Sequence, residues 1–143
     1  MIDALLSSPA IRMLEQTVNF TEQRHEVLLG DIANASTPGF VQKDLSVAEF
    51  QGALRNAVQR QQESLNDAYE PASGDTVKFE PGGSGVATEA QETPSGVPFH
   101  DRGVRSMEYL MSEMADNALA HNMAAQFLRS RYDQLSRAIS MKV

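Results

Sequence analysis

Between Val104 and Ile139, apolar residues recur at alternating spacings of three and four: Val104, Met107, Met111, Met114, Ala118, His121, Ala125, Leu128, Tyr132, Leu135 and Ile139. Only His121 is neither apolar nor aromatic, and no Pro or Gly interrupts the run. A period near 3.5 sustained this long specifies one continuous helix with an apolar seam. At 1.5 Å per residue that helix is ~54 Å long. Leu119, Met123 and Phe127 lie off the seam, so its middle turns are apolar almost all round. A helix of that kind is surrounded by protein on several sides.

A second helix starts at Ser8, a favourable N-cap, with Pro9 at the first helical position. Its seam is Ile11, Leu14, Val18, Thr21, His25, Leu28, Ile32 and Ala35. A second column, Met13, Phe20 and Val27, sits roughly 130° away at ~100° per residue. Ser46 and Glu49 have capping-box spacing and open a shorter helix carrying Val47, Phe50, Leu54, Ala57 and Val58 to about residue 65. Residues 71–98 hold four Pro and five Gly, and only Val77-Lys78-Phe79 hints at a strand. This composition reads as an irregular surface connection, with a small β-like flap as the alternative.

The expected fold is all-α: long N- and C-terminal helices pairing antiparallel as a coiled-coil-like hairpin, a shorter middle helix and an irregular middle segment. The segments are 1–45, 46–100 and 101–143.

Composition narrows the function. The 143-residue chain carries net charge −7 and no Cys. An acidic chain without a basic patch lacks the phosphate-neutralising charge that gives nucleic-acid affinity. Thiolate chemistry and Cys-ligated metals are excluded, and no His pair has the spacing of a metal site. No apolar run approaches the ~20 residues of a membrane span. The N-terminus lacks the basic and long apolar regions of a cleaved signal peptide, so any export is expected to use another route. Gly82-Gly83-Ser84-Gly85 lacks the Lys-Ser/Thr of a phosphate-binding loop. The expectation is a non-enzyme without cofactor or metal.

The two long helices differ in length by ~15 Å, and both bear second apolar stripes that a two-helix hairpin cannot bury. Neighbouring subunits are the expected cover. Ordering a residue costs ~1–2 kcal/mol, so the isolated chain is expected to have frayed ends that order on assembly.

The stretch "GDIANASTPGF" ends the first helix. Pro38-Gly39 suits positions i+1 and i+2 of a type II turn. Thr37, before Pro, is driven to an extended conformation. Asn34 suits a left-handed cap that bonds the last carbonyls, and Phe40 is expected to pack back as an anchor.

These residues resemble the N-terminal motif of the flagellar rod and hook axial proteins. That motif usually reads Asn-Ile-Ala-Asn-Ala-Asp-Thr-Pro-Gly-Tyr and is followed by an aspartate. Asn34, Ala35, Thr37, Pro38 and Gly39 match in register, while Asp31, Ser36 and Phe40 replace family residues. "EMADNALAHNMAAQFL" is similar to the family's C-terminal block. Arg102-Gly103-Val104-Arg105 departs from the family's Asn-Asn-Val-Asp-like stretch. The likeness covers roughly residues 10–50 and 108–139, and the length fits a short proximal-rod member, with FlgC as an alternative.

The resemblance implies a structural subunit of the basal body, exported through the flagellar type III gate. It would polymerise with itself into a hollow shaft across the periplasm. Its implied neighbours are the rod proteins FlgC, FlgF and FlgG, the adaptor FliE and the export gate. A coiled-coil adaptor or secretion chaperone is the alternative from another class.

Several residues carry two readings. Met107, Met111 and Met114 are core filler, or adaptable contacts for non-identical neighbours. His25 and His121 both occupy seam positions and read as partly buried, hydrogen-bonded side chains, or as a pH-sensitive contact between the two. Asp31 and Asp44 read as helix-end and turn residues. Gly30 either tolerates its place or admits a close neighbour.

Overall fold

The computed structural model describes residues 8–63, 69–93 and 107–140. Helix α1 (Pro9–Ala33) leads into strand β1 (Lys43–Asp44) and helix α2 (Val47–Glu63). Strands β2 (Val77–Phe79), β3 (Val86–Thr88) and β4 (Gln91–Glu92) follow, then helix α3 (Met107–Ser140). The chain is mostly helical, and all three expected helices form.

The start of α1 falls where Ser8-Pro9 requires, but the cap differs from the expected one. The Ser8 side chain makes no capping bond; its carbonyl accepts from the N–H groups of Ile11 and Arg12 at 2.9 and 3.1 Å. The start of α2 keeps half of its capping box. Ser46 Oγ accepts the Glu49 N–H at 3.3 Å. The Glu49 carboxylate turns instead to β2, where it accepts Thr76 N–H at 3.1 Å, the Thr76 hydroxyl at 2.5 Å and Val77 N–H at 3.2 Å.

The all-α expectation needs correction in the middle of the chain. Strands β2 and β3 pair antiparallel, with Val77 opposite Thr88 and Phe79 opposite Val86. Strand β1 pairs antiparallel with β4. The reversal after β2 is built by Pro81-Gly82: Gly82 has φ +70, and Gly83 N–H donates to Glu80 O at 3.1 Å. These are the same turn chemistry and the same dipeptide as at Pro38-Gly39. Val77 and Phe79 point inward and Lys78 outward, as strand alternation requires.

The core forms where this hairpin meets α1 and α2. Phe20, Leu45, Phe50, Leu54, Ala57, Tyr69, Val77, Phe79 and Val86 make one buried cluster, with Met13, Val27 and Val47 packed against it. Phe20 stacks on Phe50 with centroids 4.1 Å apart, and Phe50 on Phe79 at 5.9 Å. The second column of α1 is therefore filled from within the chain. Phe20 is a core residue, and Met13 and Val27 pack partly buried against the same cluster, because the segment read as irregular folds over this side of α1.

Helix α3 lies against α1 and runs in the opposite direction. Tyr132 donates to Glu15, Asn117 Nδ2 donates to the Thr21 carbonyl at 2.8 Å, and Glu113 meets Arg24. The column turned fully inward is Leu110, Asn117 and Ala124, one residue per heptad. Met114, Ala118, His121, Ala125, Leu128 and Leu135 are half-buried beside it, whereas Met107, Met111, Tyr132 and Ile139 are exposed. The inward column thus lies to one side of the expected seam, roughly 60° from its centre at 3.6 residues per turn. Small Ala124 and a hydrogen-bonded Asn117 let the helices approach, a choice that apolar periodicity does not register.

Candidate functional site

The corner after α1 is held at its base and free at its tip. Asn34 caps the helix: its backbone N–H and its side-chain Nδ2 donate to Gly30 O at 3.1 and 2.8 Å. Asn34 lies at φ −102, ψ 6, so the expected left-handed cap is not formed; the side chain satisfies the carbonyl without it. Thr37 N–H donates to Asn34 O at 2.8 Å, and Phe40 N–H to Thr37 O at 3.2 Å. Gly39 sits at φ +77, as the turn reading requires. Ser36, Thr37, Pro38 and Gly39 are exposed, and Ala35 and Phe40 only half-buried. Phe40 does not join the core; Leu45 is the residue that anchors the segment there.

Three sets of bonds seat the base. Buried Asp31 accepts the Lys43 N–H through both carboxylate oxygens, at 3.3 and 3.2 Å. Thr93 N–H and its hydroxyl both donate to Gln42 O at 3.1 Å. Most consequential is Arg24. Its Nε donates to Asp44 Oδ1 and its Nη2 to Asp44 Oδ2, each at 2.9 Å, and Nη2 also meets Glu113 Oε2 at 2.5 Å. A planar fork bonded twice to one carboxylate fixes geometry as well as charge. The Asp44 hydrogen bond, opposed by desolvation and aided by Glu113, raises the Arg24 pKa above its ordinary range. One side chain thereby ties α1, the post-corner strand and α3 together.

The sequence reading named Asp44 but neither its partner Arg24 nor Glu113, the second acid that Arg24 bonds. It also missed an amide row on α1. Gln16 Nε2 donates to Gly83 O at 3.3 Å, and Asn19 Nδ2 to Ser84 O at 2.9 Å. Gln23 Nε2 donates to Val86 O at 2.5 Å while its Oε1 accepts Thr88 N–H at 3.2 Å. Gln23 occupies the outer edge of β3 as a third strand would, and Glu49 does the same for β2. Side chains thus cap both hairpin edges. Amides at i, i+3 and i+7 were the available signal. Gln16 Oε1 also accepts the hydroxyl of buried Tyr69 at 3.0 Å, and burial pushes that phenol up to about 12.

The other expected positions divide clearly. Ile11 and Leu28 are buried and Leu14, Val18 and Ile32 half-buried within the chain. Leu119, Met123 and Phe127 are 60%, 50% and 58% exposed, a row with no partner among the described residues. His121 Nδ1 lies 3.0 Å from the Thr21 hydroxyl, so it pairs with Thr21 and not with His25. A Cβ on Gly30 would meet nothing within 4 Å. Val104 and the Arg102–Arg105 stretch lie outside the described residues. Among the described residues no group of His, Asp and Glu could hold a metal, and no helix is long and apolar enough to cross a membrane.

No family model matches the chain. Curated relatives do. The chain is 26% identical over 129 residues to the flagellar basal body rod protein FlgB of Aquifex aeolicus, covering 90% of this chain and 91% of that protein. It is 27% identical to FlgB of Escherichia coli (90% and 89% covered) and 27% identical to FlgB of Salmonella typhimurium (92% and 91% covered). This end-to-end similarity, beside a corner gripped at its base and exposed at its tip, indicates a structural subunit of the flagellar basal-body rod. The relatives it matches within that class are FlgB basal-body rod proteins.

Proposed function

We propose that this rod subunit belongs to the proximal rod and polymerises through its terminal helices into a hollow shaft that transmits torque. The observation that carries the reading is the open row Leu119–Met123–Phe127 on a helix that has only one fully buried column. Exposed apolar rows of this kind mark contact surfaces. Helix α3 (34 residues) outruns α1 (25 residues), by ~13 Å at 1.5 Å per residue, so neighbouring copies are needed along its length. Half-buried Met114 with exposed Met107 and Met111 supplies an adaptable surface for non-identical neighbours. The exposed corner tip is a further contact surface. The partners are other copies, the rod proteins FlgC, FlgF and FlgG, the adaptor FliE and the type III export gate. The location is the rod across the periplasm, reached through the type III export gate, and the role is non-enzymatic.

The test is replacement in flagellated cells. Leu119→Ser/Phe127→Ser should leave the chain folded and exported but absent from purified basal bodies, and cells should not swim. Normal incorporation of that variant would remove the reading.

A further inference from the structure

The amide row and the α3 contacts occupy nearly opposite sides of α1. Gln16, Asn19 and Gln23 hold the β2–β3 hairpin, whereas Thr21 and Leu28 face α3. At ~100° per residue the two groups lie roughly 150° apart. The hairpin itself is acidic: Asp75, Glu80 and Glu89 are exposed against a single exposed Lys78, while Glu92 lies opposite Lys43 and Glu70 beside Arg60. The open row on α3 ends in the opposite charge. One further step of four beyond Phe127 is Arg131, and Arg137 borders the same face; both are exposed, with Asp133 the one acid in that last stretch. Because α1 separates the two surfaces, they cannot close on each other within one chain.

We propose that the Leu119–Met123–Phe127 face, with Arg131 and Arg137 at its end, docks on the acidic hairpin flank of a second copy. The contact rests on the rod-subunit reading and says which surfaces of two copies meet. It is heterologous: each copy offers one flank and receives the other, so the contact repeats without closing on a pair and propagates an open array. Charge orients the approach and fixes the stagger, while the apolar row supplies the area. Exposed charges of this kind are screened by salt beyond the Debye length.

The test is a charge swap in the full chain, read by sedimentation at low and high salt. Arg131→Glu/Arg137→Glu and Glu80→Lys/Glu89→Lys change only exposed residues, and circular dichroism should show unchanged helix content. Each variant alone should self-associate at least about tenfold more weakly than wild type. A one-to-one mixture of the two should regain association, since every contact then pairs opposite charges in alternation. Wild-type-like association of either variant, or no recovery in the mixture, overturns the contact while leaving the rod reading intact. Wild-type chain that never self-associates and never enters basal bodies overturns both. Wild-type monomer that binds phosphatidylglycerol vesicles but not itself assigns the face to an anionic membrane instead and overturns the contact.

Discussion

The inner and outer sides of this molecule are built on different principles. Around Phe20, three segments distant in sequence converge, both edges of the β2–β3 hairpin are capped by side chains, and two aromatic stacks fill the centre. Along α3, only Leu110, Asn117 and Ala124 turn fully inward while large apolar residues face outward. The first is covered from within the chain, and the second leaves its largest apolar residues in solvent. Apolar content alone therefore does not say where a chain's core lies; what matters is whether the chain brings its own cover to that surface.

The largest test of this contrast is Phe20→Ala. Removing a fully buried, stacked ring should cost about 3–5 kcal/mol in urea unfolding; a loss below 1 kcal/mol would mean that the cluster is not the core. Next is Arg24→Ala, which leaves Asp44 and Glu113 partly buried and unpaired. It should cost about 2–3 kcal/mol, less than a fully buried pair because both acids keep some solvent. Restoring most of that loss by adding Asp44→Asn and Glu113→Gln would identify uncompensated charge as the cause.

Gln23→Ala should cost about 1–2 kcal/mol and speed amide exchange at Thr88, whose N–H loses its acceptor. Unchanged protection there would show that Gln23 does not guard the edge. A smaller effect is expected from acid. The Thr76 hydroxyl, more than the backbone donors, lowers the Glu49 pKa from 4.5. The folded pKa is depressed, so the stabilisation is present above the unfolded value and lost as pH falls through the folded one. Stability measured from pH 6 down to 3 should decline more steeply for wild type than for Glu49→Gln. Smallest of all is Leu119→Ser on the monomer, within about 0.5 kcal/mol as for an exposed site. A larger loss would mean the row already has a partner inside the chain.

Much of this was legible beforehand because it is local. The start of α1 at Pro9, α2 at Val47–Glu63, the length of α3 and the turn at Pro38-Gly39 each follow from a few neighbouring residues. The same logic reached the hairpin only as the alternative, a β-like flap with a strand at Val77-Lys78-Phe79, although Pro81-Gly82 repeats the corner's dipeptide. It was outweighed by the loose composition around it. The corner motif itself was legible, but not the grip beneath it, because Arg24, Asp44 and Glu113 are brought together only by packing.

The sequence by itself determined three helices, their lengths, one sharp corner and an excess of apolar surface, since periodicity and turn chemistry act over a few residues. Tertiary structure decided which excess is covered. It folded the middle over Met13, Phe20 and Val27, and it turned α3 on Asn117 and Ala124 instead of on its larger apolar column. The physical reason is that helix faces compete on closeness of approach and on satisfied hydrogen bonds as well as on hydrophobicity. Those quantities exist only once the partners are in place.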